Sequence, residues 1–214
     1  MKAIRYGLHF TTLALGGVIF WLVKDIQLPY WISNFDVFRY SLMGALHATS
    51  IVVSLRDRRT THRNIAFPIH ALGFIALATV LSASTPFMGL WGSIVWVPFA
   101  DILRENHLGI DAIYLTGSAI GASGYWVLVR LFWLKSLWWA DWLRTVALCV
   151  TATLLAGLGL NLFDGYVRGV PKFDADIISP ILTLAWWFAF SISLYWSETS
   201  EQAYKSTQAV ETVT

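Results

Sequence analysis

The chain has 214 residues, 57% of them hydrophobic and only 13% charged, with a mean hydropathy of +0.59. A net charge of +2 is too small for a nucleic-acid partner, and a single cysteine excludes an internal disulfide or a cysteine-based metal centre. What remains is an all-α, polytopic integral membrane protein whose first partner is the lipid bilayer.

The N-terminus, Met-Lys-Ala-Ile-Arg, leads into the apolar run Tyr6–Val23. A signal peptide begins this way, but the run is long and lacks a small-residue cleavage site, so a retained first helix is expected. Val37–Leu55 follows. Behind it comes Arg56-Asp57-Arg58-Arg59-Thr60-Thr61-His62-Arg63, with four arginines in eight residues. Such a cluster stays cytoplasmic, which puts the N-terminus on the same side.

From Asn64 to Ala100 there is no Asp, Glu, Lys or Arg. A crossing needs roughly 20 apolar residues, so this stretch reads as two helices, Asn64–Ser82 and Phe87–Leu103, joined by a turn at Ser82-Ala83-Ser84-Thr85-Pro86. Ile110–Val129, Thr145–Phe163 and Ile177–Trp196 complete the spans, and residues 198–214 form a polar tail. Twelve Trp, eight Tyr and thirteen Phe supply aromatic belts at the two interfaces.

The expected fold is therefore a single transmembrane domain, 1–197, of seven helices. If Phe87–Leu103 lies flat at the interface, the count is six. Lysines and arginines then divide ten inside to four outside, against nine to five for seven helices. Charge favours six and hydropathy favours seven. Three ordered echoes tip the expectation to seven: Leu22-Val23-Lys24 with Leu128-Val129-Arg130, Asp36-Val37-Phe38-Arg39 with Asp141-Trp142-Leu143-Arg144, and Ile65-Ala66-Phe67-Pro68-Ile69 with Ile177-Ile178-Ser179-Pro180-Ile181. They suggest a three-helix unit, 6–82, repeated as 110–196, with 87–103 as the linking helix. Seven helices make the units parallel; six make them inverted.

Such repeats commonly frame a transport path near the midplane. The three-one-three layout resembles the sugar-transporting SWEET proteins and the vitamin-precursor PnuC carriers in helix number and length. Charged and polar groups within spans are the candidates to line a path: Asp36, Arg39, His47, His70 and Asp111. Asp36 and Arg39, three apart, can pair with each other, or serve the helix start and the headgroups respectively. His47 and His70 flank the arginine loop at similar depth, with His9 a little shallower. Two histidines so placed suit a b-type haem or a proton relay, or hydrogen-bond neighbouring helices.

Gly121-Ala122-Ser123-Gly124 resembles the Gly-x-Ser-Gly of rhomboid intramembrane proteases. Those enzymes use a histidine on a later helix, whereas here the last histidine, His107, precedes the serine. Close helix packing is the simpler use of these small residues. Trp91-Gly92-Ser93-Ile94-Val95-Trp96 resembles the tryptophan-rich haem-handling motif of cytochrome c maturation proteins, without its Trp-Asp continuation or outer histidines. Belt residues are the simpler reading.

The expectation is a non-enzymatic, permease- or channel-like protein for a small solute or ion, in a bacterial inner membrane. It would work as a homo-oligomer or within a membrane complex. Its alternatives are a haem b electron-transfer subunit, with His47 and His70 as ligands, and a non-catalytic subunit or effector. No other cofactor or metal is implied.

Overall fold

The computed structural model describes residues 2–23, 37–56, 66–99, 101, 109–134, 139–168 and 181–197. Every regular element among them is helical: α1 Lys2–Val23, α2 Val37–Leu55, α3 Phe67–Gly92, a 3-10 segment Ser93–Phe99, α4 Gly109–Phe132, α5 Trp139–Arg168 and α6, described over Ile181–Ser197. Pro68 is the second residue of α3, where its missing N–H breaks no helical bond. Asp141 in the first turn of α5 and Arg130 in the last turn of α4 suit the helix dipole.

Polar residues inside these apolar helices satisfy themselves on their own backbone. The hydroxyls of Thr11, Ser41, Thr49, Ser54, Thr79 and Thr116 each donate to the carbonyl four residues back, at 2.6–2.8 Å. A hydroxyl so bonded needs no water. The same device removes the expected turn at Ser82–Pro86. Ser84 and Thr85 both donate to the carbonyl of Leu81, and α3 runs unbroken from Phe67 through Pro86 to Gly92. At 26 residues it is about 39 Å long. Among the described residues, no separate helix begins at Phe87. The start of the expected span Phe87–Leu103 is the end of α3, and Ser93–Phe99 is a short 3-10 extension.

Among the described residues, six long helices pack in antiparallel sequence and close into a ring. Gly16 meets Met43 across α1 and α2, Gly44 meets Ser82 across α2 and α3, and His70 meets Phe132 across α3 and α4. Trp142 reaches Ser123 and Thr153 reaches Ser118 across α4 and α5. Thr145 bonds Ser193, and Arg144, paired with Asp141 on its own helix, bonds Ser197, across α5 and α6. Phe10 stacks on Phe188 at 5.3 Å, and Gly17 faces Leu184, closing α6 onto α1. α6 also touches α4, where Trp186 Nε1 donates to the carbonyl of Ser118 at 3.0 Å.

Glycines set the closest approaches. A Cβ on Gly117 would stand 3.4 Å from the Gly89 backbone of α3, which cannot yield as a side chain can. Gly117→Val should therefore destabilise the bundle by about 1–3 kcal/mol through overpacking, measured as a lowered unfolding midpoint in detergent. An unchanged midpoint would contradict the α3–α4 contact.

Phe67–Thr85 and Trp139–Leu160 are long and apolar enough to cross a membrane, while His9–Ile19, Tyr40–Leu55 and Ile181–Ser197 are shorter apolar helices. The outer surface of the bundle is apolar, with Leu22, Ile69, Leu72, Val80, Leu155 and Leu162 all exposed. Its interior holds His9, His47, Ser50, His70, Ser118, Thr153, Ser191 and Ser193 beside the apolar core.

Candidate functional site

Three helices bring the polar centre together. α1 contributes His9, α2 contributes His47 and Ser50, and α6 contributes Trp187 and Ser191; all are buried. His47 and Ser50 lie three apart and Trp187 and Ser191 four apart, so each pair shares a helix face. His9 is held at both ring nitrogens. Its Nδ1 is 2.7 Å from Ser50 Oγ and its Nε2 is 2.5 Å from Ser191 Oγ.

Each of these serines has a second partner. Ser50 Oγ lies 2.8 Å from the carbonyl of His47, and Ser191 Oγ lies 2.7 Å from the carbonyl of Trp187. Ser191 Oγ is also 3.5 Å from His47 Nε2. The two imidazoles stand 5.7 Å apart between ring centres, tilted by 50°. His47 has no exposed surface, and its Nδ1 has no hydrogen-bond partner among the described residues. Trp187 lies over its ring at 4.1 Å, with Tyr125 and Phe190 at 5.6 and 5.8 Å. The Tyr125 hydroxyl donates to the carbonyl of Ala78 at 3.2 Å and meets Ser82 Oγ at 2.5 Å, tying α4 to α3 beside the centre.

No family model, curated protein or solved structure matches this chain. The chemistry of the site is therefore that of its own residues.

Of the residues singled out in the sequence, His47 lies in this centre and His70 does not. His70 Nε2 is 2.8 Å from the carbonyl of Phe132, and its ring packs on Phe132 and Trp133. It serves as a strap between α3 and α4. Arg39 and Asp111 fall within α2 and α4, but their side chains, and Asp36 altogether, lie outside the described residues. The partner of His47 is instead His9.

Haem ligation by His47 and His70 does not fit this arrangement. Axial histidines share one porphyrin between them. These two have separate aromatic enclosures, and His70 already uses its Nε2. Between His9 and His47 the intervening space holds Ser191, and Trp187 covers the His47 face.

Ser123 is likewise structural. It donates to the carbonyl of Ala119 at 2.9 Å and accepts from Trp142 Nε1 at 3.1 Å. Gly121 and Gly124 face Trp186 and Leu81, so the Gly-x-Ser-Gly stretch is a packing surface. Ser123→Ala should cost about 1 kcal/mol, the ordinary value of an interhelical hydrogen bond, read by detergent unfolding. Wild-type chain should also resist a fluorophosphonate probe; covalent labelling at Ser123 would restore a nucleophilic role.

Ser50 and Ser191 carried no signal in the sequence beyond that of the many other helix serines. Only the spacing of His47 and Ser50 hinted at one of them.

Proposed function

We propose that this chain is a six-crossing integral membrane protein that passes a small solute or ion through its bundle, by way of the His9–His47 centre. The observation that carries this reading is the apolar exterior. Large apolar side chains are exposed on every helix, while three imidazoles and several hydroxyls are buried beside the apolar core. A water-soluble bundle buries its apolar stripe and exposes its charges. In hydrocarbon the reverse is stable, because backbone and polar groups must be satisfied internally.

The charged side chains that are described support the same reading. Arg56, Arg130, Asp141 and Arg144 fall at helix ends that the antiparallel order brings to one end of the ring, and Asp101 follows α3 at the other. Arg56 and Arg130 also lie over the aromatic rings of Phe67 and Trp126, at 5.4 Å in each case. Trp96, whose Nε1 donates to Thr116 Oγ1 at 2.8 Å, lies in the 3-10 segment beyond α3, in keeping with an interfacial belt. α3 and α5 exceed the roughly 30 Å hydrocarbon thickness and would tilt or protrude.

Six crossings make the two three-helix units inverted rather than parallel. Where they are described, the echoed motifs fall at corresponding places: Leu22-Val23 and Leu128-Val129-Arg130 in the last turns of α1 and α4, and Val37-Phe38-Arg39 and Asp141-Trp142-Leu143-Arg144 at the starts of α2 and α5; the third pair reaches α3 at Phe67-Pro68-Ile69 and α6 at Ile181. Superposition of α1–α3 on α4–α6 in order, about one two-fold axis, is the expected result. Failure of any helix to align in order would remove the repeat.

The transport reading is tested in vesicles containing the purified full-length chain. A panel of small uncharged solutes is followed by osmotic swelling, and small cations, anions and protons by entrapped dyes. Flux of at least one species above protein-free vesicles is expected. No flux of any kind would overturn the reading.

A further inference from the structure

We propose that the species carried is the proton, and that His9, Ser191 and His47 form the relay; this rests on the transport reading above. The case begins with a count of hydrogens. Ser50 and Ser191 each have one hydroxyl proton, with a helix carbonyl and a nitrogen of His9 in reach as acceptors; Ser191 also has His47 Nε2 at 3.5 Å. If both serines donate to their carbonyls, His9 must donate from both nitrogens, and it is an imidazolium. If His9 is neutral, one serine must turn its proton toward the ring. The three protonation patterns share one set of heavy-atom positions and differ only by hydroxyl rotation. His9 can therefore gain or lose a proton without repacking the bundle.

The second half of the relay is His47. Ser191 Oγ stands between the two imidazoles, 2.5 Å from His9 Nε2 and 3.5 Å from His47 Nε2. A proton arriving at His9 Nδ1 by way of Ser50 releases the Nε2 proton to Ser191 Oγ. Ser191 passes its own hydroxyl proton to His47 Nε2. His47 then gives up its Nδ1 proton to a water molecule, and a second water resupplies Ser50; water is the donor and acceptor that the relay requires at its two ends. One proton enters and one leaves, no heavy-atom bond is broken, and rotation of the hydroxyls and exchange of ring tautomers reset the chain.

His47 Nδ1 is the exit: it is wholly buried and has no partner among the described residues, so the proton leaves only when water reaches it. An orphaned polar atom at such a place costs stability, and a water reaching it would lower that cost. Tyr125 is the titratable group that faces His47 from α4, and its hydroxyl is engaged by Ala78 and Ser82. α6 presents Trp187, Phe190 and Ser191 to the ring, none of which titrates in the working range.

The test uses the full-length chain in phosphatidylcholine–phosphatidylglycerol vesicles with a trapped pH dye. A potassium gradient with valinomycin sets an inside-negative potential, and acidification of the interior is followed. Wild type should acidify faster than protein-free vesicles. Ser191→Ala should slow it by about a hundredfold, the lower end of what a positioned proton-transferring group contributes. His9→Gln should do the same, because an amide can bond both serines yet cannot accept a proton at one atom and release it at the other. Ser123→Ala, remote from the centre, should leave the flux unchanged.

Wild-type proton flux no greater than in protein-free vesicles, with another solute of the panel passing, would overturn the proton assignment and leave the transport reading. No flux of any species would overturn both. Proton flux undiminished in Ser191→Ala and His9→Gln would overturn the relay. Slower flux in H2O replaced by D2O, in wild type, is expected without any variant, so misfolding of a variant leaves the test intact. An equal rate in both solvents would count against a proton-transfer chain.

Discussion

Phe190→Ala is expected to be among the most damaging single substitutions in this chain, at about 3–5 kcal/mol. The ring is fully buried in α6 and is stacked on Trp186 at 5.4 Å and 12°. It meets Tyr125 edge-on at 5.6 Å and closes one side of His47 at 5.8 Å. In a membrane-embedded bundle the loss is one of packing. Lipid tails are as apolar as the ring, so burial alone contributes little between helices. What is forfeited is the dispersion contact of a large side chain with partners on α2 and α4, together with a cavity beside the polar centre. The unfolding midpoint in detergent should fall by roughly 2–4 °C for each kcal/mol. Phe188→Ala is the comparison. That ring lies at the outer edge of the same helix, 36% exposed and stacked on Phe10, and its removal should cost far less. Equal effects at the two positions would mean that α6 does not face the bundle as described.

A reporter fused after Thr214 should be active only in the cytoplasm, on the same side as the Arg56–Arg63 loop. The effect is all-or-none, because the tail changes side with every crossing added. Six antiparallel helices return the chain to the side on which it started, and they place ten of the lysines and arginines there against four on the other. Seven would have put the tail outside. The difference rests on Ser82–Pro86, which α3 passes through as helix. A reporter active only outside would reinstate a crossing over Phe87–Leu103 and remove the six-helix reading. A second reporter in the segment between α3 and α4 separates the two cases again, since it should lie outside with six helices and inside with seven.

The two expected results depend on different parts of the chain. Phe190 concerns how α6 sits among its neighbours, and the reporter concerns how many times the backbone turns back. Neither outcome bears on what is carried.

Helical class and most helix positions were legible from the residues. Val37–Leu55 has the expected bounds, and α1, α4 and α5 extend the predicted spans by a few residues at each described end that differs. Apolar runs bounded by charges or polar loops determine such helices locally, since nothing but a helix satisfies the backbone of so apolar a run. The first-turn proline of α3 was legible for the same reason. Helix packing by glycine was legible as a tendency, and Gly117 against Gly89 made it specific.

Three features were decided only by tertiary structure. Ser82, Ser84, Thr85 and Pro86 are turn residues by composition, but Ser82 is buried against Gly44 and the Tyr125 hydroxyl, and Ser84 and Thr85 bond back onto α3. A partner on another helix removed the reason for a turn. His47 was paired in expectation with His70, the neighbour across the loop, because depth along a helix can be counted in the sequence. Direction around the axis relative to other helices cannot. That angle turned His70 toward Phe132 and brought His9, 38 residues before His47, into the centre instead. Ser191, 144 residues beyond His47, entered because α6 closes the ring onto α1. The sequence by itself determined which segments are helical and which of their residues are costly to bury. The meeting of His9, His47, Ser50 and Ser191 was decided by ring closure, a property of how all six helices pack.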